Sequence, residues 1–424
     1  MYKYRAMSSN GQLDADPAMF WWRAGLDPER YVWATYVVET SHDPERVATM
    51  LAQEQSAVSP NIPHTGRPVD ADAFAARVVS VESLPDAPPS GIEHYALTPH
   101  ESAPSQETRW ARVEIAYPFP GSPASLTHVW TIIGAEVHRF GFVRALQIED
   151  FRIPSSAAIR GPRFGVRGLR DVAGVFGRPL LCRSARPAVG ATDDEMAEMA
   201  ELVLLAGFDA VKDDELTLAR GADAAARRAR TVAKAVRNAE DQTGERKLYV
   251  ANAIGSRSQT LAIANAAVAN GADALLVSSA LQGLEVCGEL ADEFGVPILC
   301  HNTWSDVLSR HPRFGVSDAA LASLHRLSGA DLVMAPGPFA TQTAPSEAPF
   351  LDAVRGPVEG VRSAMPILAG GKIPEGVAQY LEAVGSPDFM LIVATAVDTH
   401  PEGMAVGARE FRDAVEAVRL PAPR

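Results

Sequence analysis

From about residue 178 onward, short apolar runs recur, and each closes on a polar or small residue. Eight are read as strands: 180–182, 210–212, 248–251, 274–277, 298–301, 332–334, 367–369 and 390–393. Ala- and Leu-rich stretches with helical spacing lie between them, such as 193–206, 257–270 and 318–327. Apolar runs of three or four residues bounded by polar loops suit strands buried on both faces. Eight strand–helix repeats in about 245 residues have the rhythm and size of an α/β fold, a (β/α)8 TIM barrel. An open, doubly wound sheet is the alternative, and the lack of Gly-x-Gly-x-x-Gly after the first run weakens it.

The N-terminal part has a different pattern. Runs rich in β-branched and aromatic residues at 31–38, 77–81, 111–117 and 143–150 predict strands. Residues 43–55, capped by Ser41 or Asp43, and 125–133 predict helices. Together they predict an α+β, ferredoxin-like domain with its sheet covered on one face. The Pro- and Ser-rich stretch 82–108 reads as an exposed loop. Residues 151–178 read as a connector with a turn at 161–165 and a short helix at 167–176. The expected division is an N-terminal domain at 1–155 and a barrel at 156–424.

Composition narrows the class. The chain has 424 residues, 47% hydrophobic and 21% charged, which is ordinary for a soluble globular protein of about two domains. A net charge of −13 without a basic cluster argues against nucleic acid as a partner. The cysteines Cys182, Cys287 and Cys300 have neither metal-ligand nor disulfide-framework spacing. With no apolar signal core and no run of transmembrane length, a cytoplasmic protein without membrane contact is expected. The Ala-, Arg- and Asp-rich usage points to a bacterial source.

The densest candidate chemistry is Gly207-Phe208-Asp209-Ala210-Val211-Lys212-Asp213-Asp214-Glu215, read as a strand opening into a loop and a helix over 215–234. The simple reading of a lysine beside three acids is an ion pair on a solvated loop. The sharper one is a Mg2+ site, since hard cations take oxygen ligands. A free ammonium would repel the ion, so that reading needs Lys212 condensed with CO2 to a carbamate. In a barrel the polar residues after the strands converge on one rim. Those are Arg186; Lys212, Asp214 and Glu215; Asn252; Ser278 and Ser279; His301 and Asn302; and Gly370, Gly371 and Lys372.

At these residues the chain resembles the large-subunit family of ribulose-bisphosphate carboxylase/oxygenase (RuBisCO). The stretch 207–215 is similar to the family's lysine-carbamate motif, and Arg326-Leu327-Ser328-Gly329-Ala330-Asp331 to the approach to its sixth barrel strand. The stretch 144–154 is similar to the join between the family's two domains, and 161–165 to its connector. His311-Pro312, after Trp304, resembles a feature of the RuBisCO-like branch. The resemblance implies a carbamylated Lys212, with Asp214 and Glu215 as further Mg2+ ligands. It implies a functional His301 and phosphate-binding glycines at Gly370 and Gly371. It also implies a homodimer in which Glu54 reaches the neighbouring subunit's site.

The departures from the family pattern have a direction. Arg186 and Ala188 stand where the carboxylases have lysines, and arginine is a poor proton shuttle. Asn302, Met334 and Ala369 replace an arginine, a histidine and a serine. The mobile-loop lysine falls near Thr341, the strand-8 glycines near Ala394 and Thr395, and the N-domain asparagine at Ala135 or Glu136. A bisphosphate substrate and CO2 fixation are therefore not expected. What remains is a RuBisCO-like, Mg2+-dependent enolisation of a keto-sugar phosphate or sugar-acid phosphate. The resemblance implies enolase, isomerase or transcarboxylase/hydrolase chemistry. Lys212 or His301 would be the base, Arg186 would fix an anion, and Asn302 and Thr395 would contact substrate. The departures at Arg186 and Asn302 lean towards a substrate unlike the methionine-salvage one. The rival expectation is a catalytically degenerate homologue with a metabolite-binding or regulatory role.

Overall fold

The computed structural model describes residues 17–56, 71–85, 87–93, 107–119, 125–334 and 348–420. The chain divides into two compact units, 1–158 with 308–317 and 159–307 with 318–424.

In the first unit, β1 (Tyr31–Thr40), β2 (Arg77–Ser83), β3 (Arg109–Pro118) and β4 (Ala145–Arg152) form an antiparallel sheet in the order β4-β1-β3-β2. Helix Pro44–Glu54 follows β1 and helix Leu126–Gly134 follows β3, which is the ferredoxin-like βαββαβ arrangement. Of the two caps offered for the first helix, Asp43 is the one made, and Ser125, read as a helix residue, caps the second. Asp43 accepts from the Arg46 N–H at 3.0 Å, and Ser125 accepts from His128 at 3.2 Å. The pattern did not predict the edge of this sheet. Residues 308–317 come from far along the chain, and their two-residue β10 (Gly315–Val316) pairs in parallel with β4. Ser317 Oγ fastens the segment by donating to the Glu149 carbonyl at 2.6 Å. Two residues carry no periodicity, so nothing in the local sequence marks them as a strand.

The second unit is a closed barrel of eight parallel strands in the order β11-β12-β13-β5-β6-β7-β8-β9. These are β5 (Leu180–Ser184), β6 (Ala210–Lys212), β7 (Leu248–Asn252), β8 (Ala274–Val277), β9 (Ile298–Cys300), β11 (Leu332–Met334), β12 (Met365–Ala369) and β13 (Met390–Val393). The predicted barrel is therefore the observed one, and the doubly wound alternative fails on closure. The helix expected over 215–234 starts later, as Ala222–Thr243, because residues 216–221 form a loop that ends on Gly221 at φ 117°. No described helix is long and apolar enough to cross a membrane.

Strand pleating sorts the barrel residues into two cores. Leu180, Cys182, Ala210, Leu248, Leu276, Leu299, Met365 and Met390 fill the interior, and Leu169 and Ala173 of helix Gly165–Ala173 join them. Val211, Tyr249, Leu275, Leu368 and Leu391 instead pack against the surrounding helices. The alternation places Lys212 on the interior side and Asp213 on the helix side before any polar contact is considered.

A bidentate pair lies at the entry of β6. Arg178 Nη1 and Nη2 each donate to an Asp209 carboxylate oxygen at 2.7 Å, and the Leu181 N–H donates to the same carboxylate at 2.8 Å. Both side chains are almost fully buried. Asp209→Ala would strip the buried guanidinium of its bidentate partner and leave it only Glu416, 3.0 Å from Nε, at a cost of about 3 kcal/mol. The guanidinium chloride midpoint of barrel unfolding should fall accordingly, and an unchanged midpoint would contradict the assignment.

Candidate active site

The carboxyl ends of the barrel strands surround a cavity of about 680 Å3, within the range of small-molecule sites. Ser184 at the end of β5 and Arg186 beyond it, Lys212 at the end of β6 and Glu215 beyond it, and His301, Asn302, Thr303 and Trp304 after β9 line it. Met334, Ala369, Gly370, Gly371, Lys372, Ile373 and Thr395 complete much of the wall. Of the residues singled out from sequence, Arg186, Lys212, Glu215, His301, Asn302, Gly370, Gly371, Lys372 and Thr395 line this one cavity, whereas Asp214, Asn252, Ser278 and Ser279 do not. Thr341 lies outside the described residues.

Lys212 sits at the centre and is 2% exposed. Its Nζ donates to the Asp213 carbonyl at 3.0 Å and lies 3.5 Å from Glu215 Oε2. Asp214 is buried behind two cavity residues. Its Oδ2 is 3.3 Å from both Arg186 Nε and Ser184 Oγ, and its Oδ1 accepts from the Leu216 N–H at 3.1 Å. Arg186, 53% exposed in its side chain, therefore spends one N–H on Asp214 while lining the cavity. Two cations, Lys212 and Arg186, thus face two carboxylates, Asp214 and Glu215.

Of the three acids after Lys212, the first plays a different part. Asp213 faces the helix layer, as the pleat dictates. Its carboxylate accepts from the Tyr249 hydroxyl at 3.0 and 3.1 Å and from the Asn252 N–H at 3.0 Å. Burial raises its pKa above the usual carboxylate value.

His301 is neutral near pH 7. Burial, helped by the Lys212 charge, pushes its pKa down to about 4. Its Nε2 lies 3.3 Å from Glu215 Oε2 and its Nδ1 2.7 Å from Thr303 Oγ1. A carboxylate only accepts, so the ring proton belongs on Nε2, and the Thr303 hydroxyl donates to Nδ1. In this arrangement the ring is a donor, and a base role requires Glu215 to release it. Burial works to raise the Glu215 carboxyl, but His301 and Lys212 outweigh it and hold the pKa below its ordinary value.

Asn252, noted from sequence only as a rim residue, holds the loop that carries the acids. Its Nδ2 donates to the carbonyls of Asp214 and Glu215 at 3.1 Å and of Thr217 at 3.3 Å, and its Oδ1 accepts from the Ile254 N–H at 2.8 Å. On the far side of the ring, Gly370 and Gly371 have φ of 72° and 58°, a left-handed pair that a Cβ would resist. Lys372 follows them, buried, with its Nζ 5.3 Å from the centre of the Tyr380 ring. Thr395 opens helix Thr395–Asp398 after β13.

Glu54 belongs to the first unit, half-buried at the end of helix Pro44–Glu54. Burial, and then the nearby Glu136 carboxylate, raise its pKa. Sequence reading passed over Ser184, Thr303 and Trp304 as site residues. The first closes a strand, and the other two follow His301 in a turn, beyond the one or two positions after a strand that pattern singles out.

Among the described residues, no three His, Cys, Asp or Glu side chains converge as a ready metal-binding group. The rim offers two carboxylates, Asp214 and Glu215, and any third oxygen donor must come from elsewhere.

The comparisons with known proteins agree with this fold. The family model of the ribulose bisphosphate carboxylase large chain, catalytic domain, matches residues 165–422. The chain belongs to that large-chain family. Within it, the chain is 30% identical over 412 residues to "Ribulose bisphosphate carboxylase-like protein 2" of Rhodopseudomonas palustris, covering 95% of this chain and 92% of the relative. The crystal structure of a rubisco-like protein from Burkholderia fungorum superposes with a TM-score of 0.80 at 26% identity, covering 93% of this chain and 95% of that one. A 2,3-diketo-5-methylthiopentyl-1-phosphate enolase of Bacillus licheniformis is 29% identical over 311 residues, covering 73% of this chain and 76% of the relative. The chain thus sits with the carboxylase-like members of the family.

The Asn252 contacts make a local prediction. Asn252→Ala should speed amide hydrogen exchange at 214–217 while leaving the other barrel strands protected. Losing these buried bonds should cost about 1–3 kcal/mol locally. Unchanged exchange in that loop would show that it does not depend on the amide.

Proposed function

We propose that the protein is a RuBisCO-like enzyme that removes a proton α to a carbonyl of a phosphorylated keto compound, and that it does not fix CO2. The observation that carries this reading is Lys212, buried beside Glu215 on a rim cavity that also holds His301 and the Gly370–Gly371 pair.

The donor set fits a hard divalent cation on one condition. As an ammonium, Lys212 repels such an ion. When its neutral amine adds to CO2, one proton is lost and the side chain becomes an anionic carbamate. Lys212, Asp214 and Glu215 then offer three anionic oxygen donors, the chemistry Mg2+ takes. When bound, the cation supplies Lewis-acid polarisation of a substrate carbonyl.

The chain's own residues supply the rest. Gly370, Gly371 and Lys372 receive a phosphate, the glycines by close backbone approach and the lysine by charge. Thr395 and Asn302 orient the body of the substrate. Arg186, released from Asp214, takes a second anionic or carbonyl oxygen. The base is the Lys212 carbamate, or His301 once Glu215 has left its Nε2. The accepted proton leaves a C=C bond and an oxygen that is then protonated, giving the enol. Met334 and Ala369 at the strand-6 and strand-7 ends leave no evident seat for a second phosphate, which disfavours a bisphosphate. The working assembly is a homodimer in which Glu54 of one copy completes the other's site. The degenerate-homologue reading has one observation in its favour: Arg186 and Lys212 already neutralise Asp214 and Glu215 without a metal.

The test is exchange of substrate protons with D2O, followed by NMR, on 2,3-diketo-5-methylthiopentyl-1-phosphate and sugar-acid phosphates with Mg2+ and bicarbonate present. Exchange on at least one compound is expected. His301→Asn should slow it by roughly 10²–10⁴-fold, the usual worth of a positioned proton-transfer group, and Lys212→Ala should abolish it. A native protein that binds such a compound yet exchanges no proton would leave the non-catalytic reading standing.

A further inference from the structure

A buried ionisable ring stands behind the wall of the cavity. His325 shares the buried face of helix Asp318–Leu327 with Leu321 and Leu324, where an apolar side chain would be the simple occupant. A buried imidazole is costly unless its nitrogens are hydrogen-bonded, and both are. Nδ1 lies 2.7 Å from Ser279 Oγ and 3.3 Å from Cys300 Sγ, and Nε2 lies 3.2 Å from Ser305 Oγ. Ser279, Cys300 and Ser305 are buried as well. Ser279, a rim residue by sequence, thus serves this ring instead of the cavity.

The positions of the partners give the ring its meaning. Cys300 ends β9, and Ser305 opens helix Ser305–Ser309. Between them stand His301, Asn302, Thr303 and Trp304, all on the cavity wall. One imidazole therefore touches both ends of the cavity loop. The Cys300 end is already fixed, because β9 is hydrogen-bonded to β8 and β11. The Ser305 end lies beyond the barrel ladder, and His325 ties it back to that frame. The ring can donate at both ends when both nitrogens carry protons. Burial works to lower the His325 pKa, but Cys300 outweighs it and raises the value.

The loop between these ends is a strained turn. The Ser305 N–H donates to the Asn302 carbonyl at 2.9 Å, and the Thr303 carbonyl accepts from Ser278 Oγ at 3.2 Å. Trp304 has φ 72°, a state that a bulky residue keeps only where its surroundings impose it. His301 takes its ring orientation from the same loop, through Thr303 Oγ1 at 2.7 Å from Nδ1. A loop end that moves carries Thr303 and Trp304 with it.

We propose that His325 is a positioning residue for His301: by tying Ser305 to the β8–β9 frame, it keeps the cavity loop in the shape that fixes the His301 ring. This rests on the reading of His301 as a proton-transfer group.

Three variants separate the contacts. S305A removes the Nε2 partner and little volume. H325N keeps an amide near the Nδ1 position, and H325Q keeps one near Nε2. The first readout is the His301 tautomer, from 15N NMR of histidine-labelled protein at one pH, with His301→Asn assigning the signals. The native ring should carry its proton on Nε2. S305A and H325N should give a mixture of tautomers and slow substrate proton exchange roughly 10²-fold, the effect of a misplacement of about 1 Å. H325Q should restore the native signature and most of the rate. A His301 signature that stays native in S305A overturns the proposal, as does an H325Q variant no better than H325N. If the His325 variants do not fold, S305A decides alone. A signature that follows these contacts, in a protein that exchanges no substrate proton, would keep the positioning role and sink the enolase reading.

Discussion

A lysine ammonium with almost no exposure must have negative charge beside it. Lys212 meets that requirement with Glu215, and the neighbouring Arg186–Asp214 contact balances the remaining carboxylate. This balance organises the rim. It lowers the pKa of Glu215, helps to keep His301 neutral, and occupies the oxygens that a cation would use. Converting Lys212 from cation to carbamate would reverse its sign and release Glu215, while Asp214 still has to be freed from Arg186. The proposed chemistry depends on that reversal.

Strand geometry makes the arrangement possible. Because successive side chains point to opposite faces, Lys212 enters the barrel while Asp213 turns towards the helices, where Tyr249 and the Asn252 N–H hold it. Asn252, one strand over, reaches back with its amide to three carbonyls of the acidic loop. The loop that would carry the metal ligands is thus fixed by β7, and the barrel's closure sets the distance between the Lys212 centre and the glycine pair.

The barrel was readable from eight apolar runs because parallel strands buried on both faces leave a nearly continuous signal. The cavity residues were readable because their types and positions after the strands matched a family pattern; composition alone would have left Lys212 as an ion pair. What could not be read has physical reasons. β10 is two residues long, and its partner lies more than 150 residues earlier in the chain. The late start of helix Ala222–Thr243 reflects a loop that has helix-compatible residues but is held otherwise, with Thr217 bonded back to Asp214 and Asn252. The three acids looked equivalent until the pleat separated Asp213 from the other two. Trp304 drew no notice as a site residue because its strain is a property of φ, not of residue type.

The most direct measurement is calorimetric Mg2+ binding to the native protein and to Lys212→Ala, each with and without bicarbonate. The account predicts binding by the native protein that strengthens with bicarbonate and disappears in the variant. Absence of Mg2+ binding under every condition, or equal binding by the variant, would contradict it and leave the Lys212–Glu215 and Arg186–Asp214 pairs as the resting chemistry of a non-catalytic site.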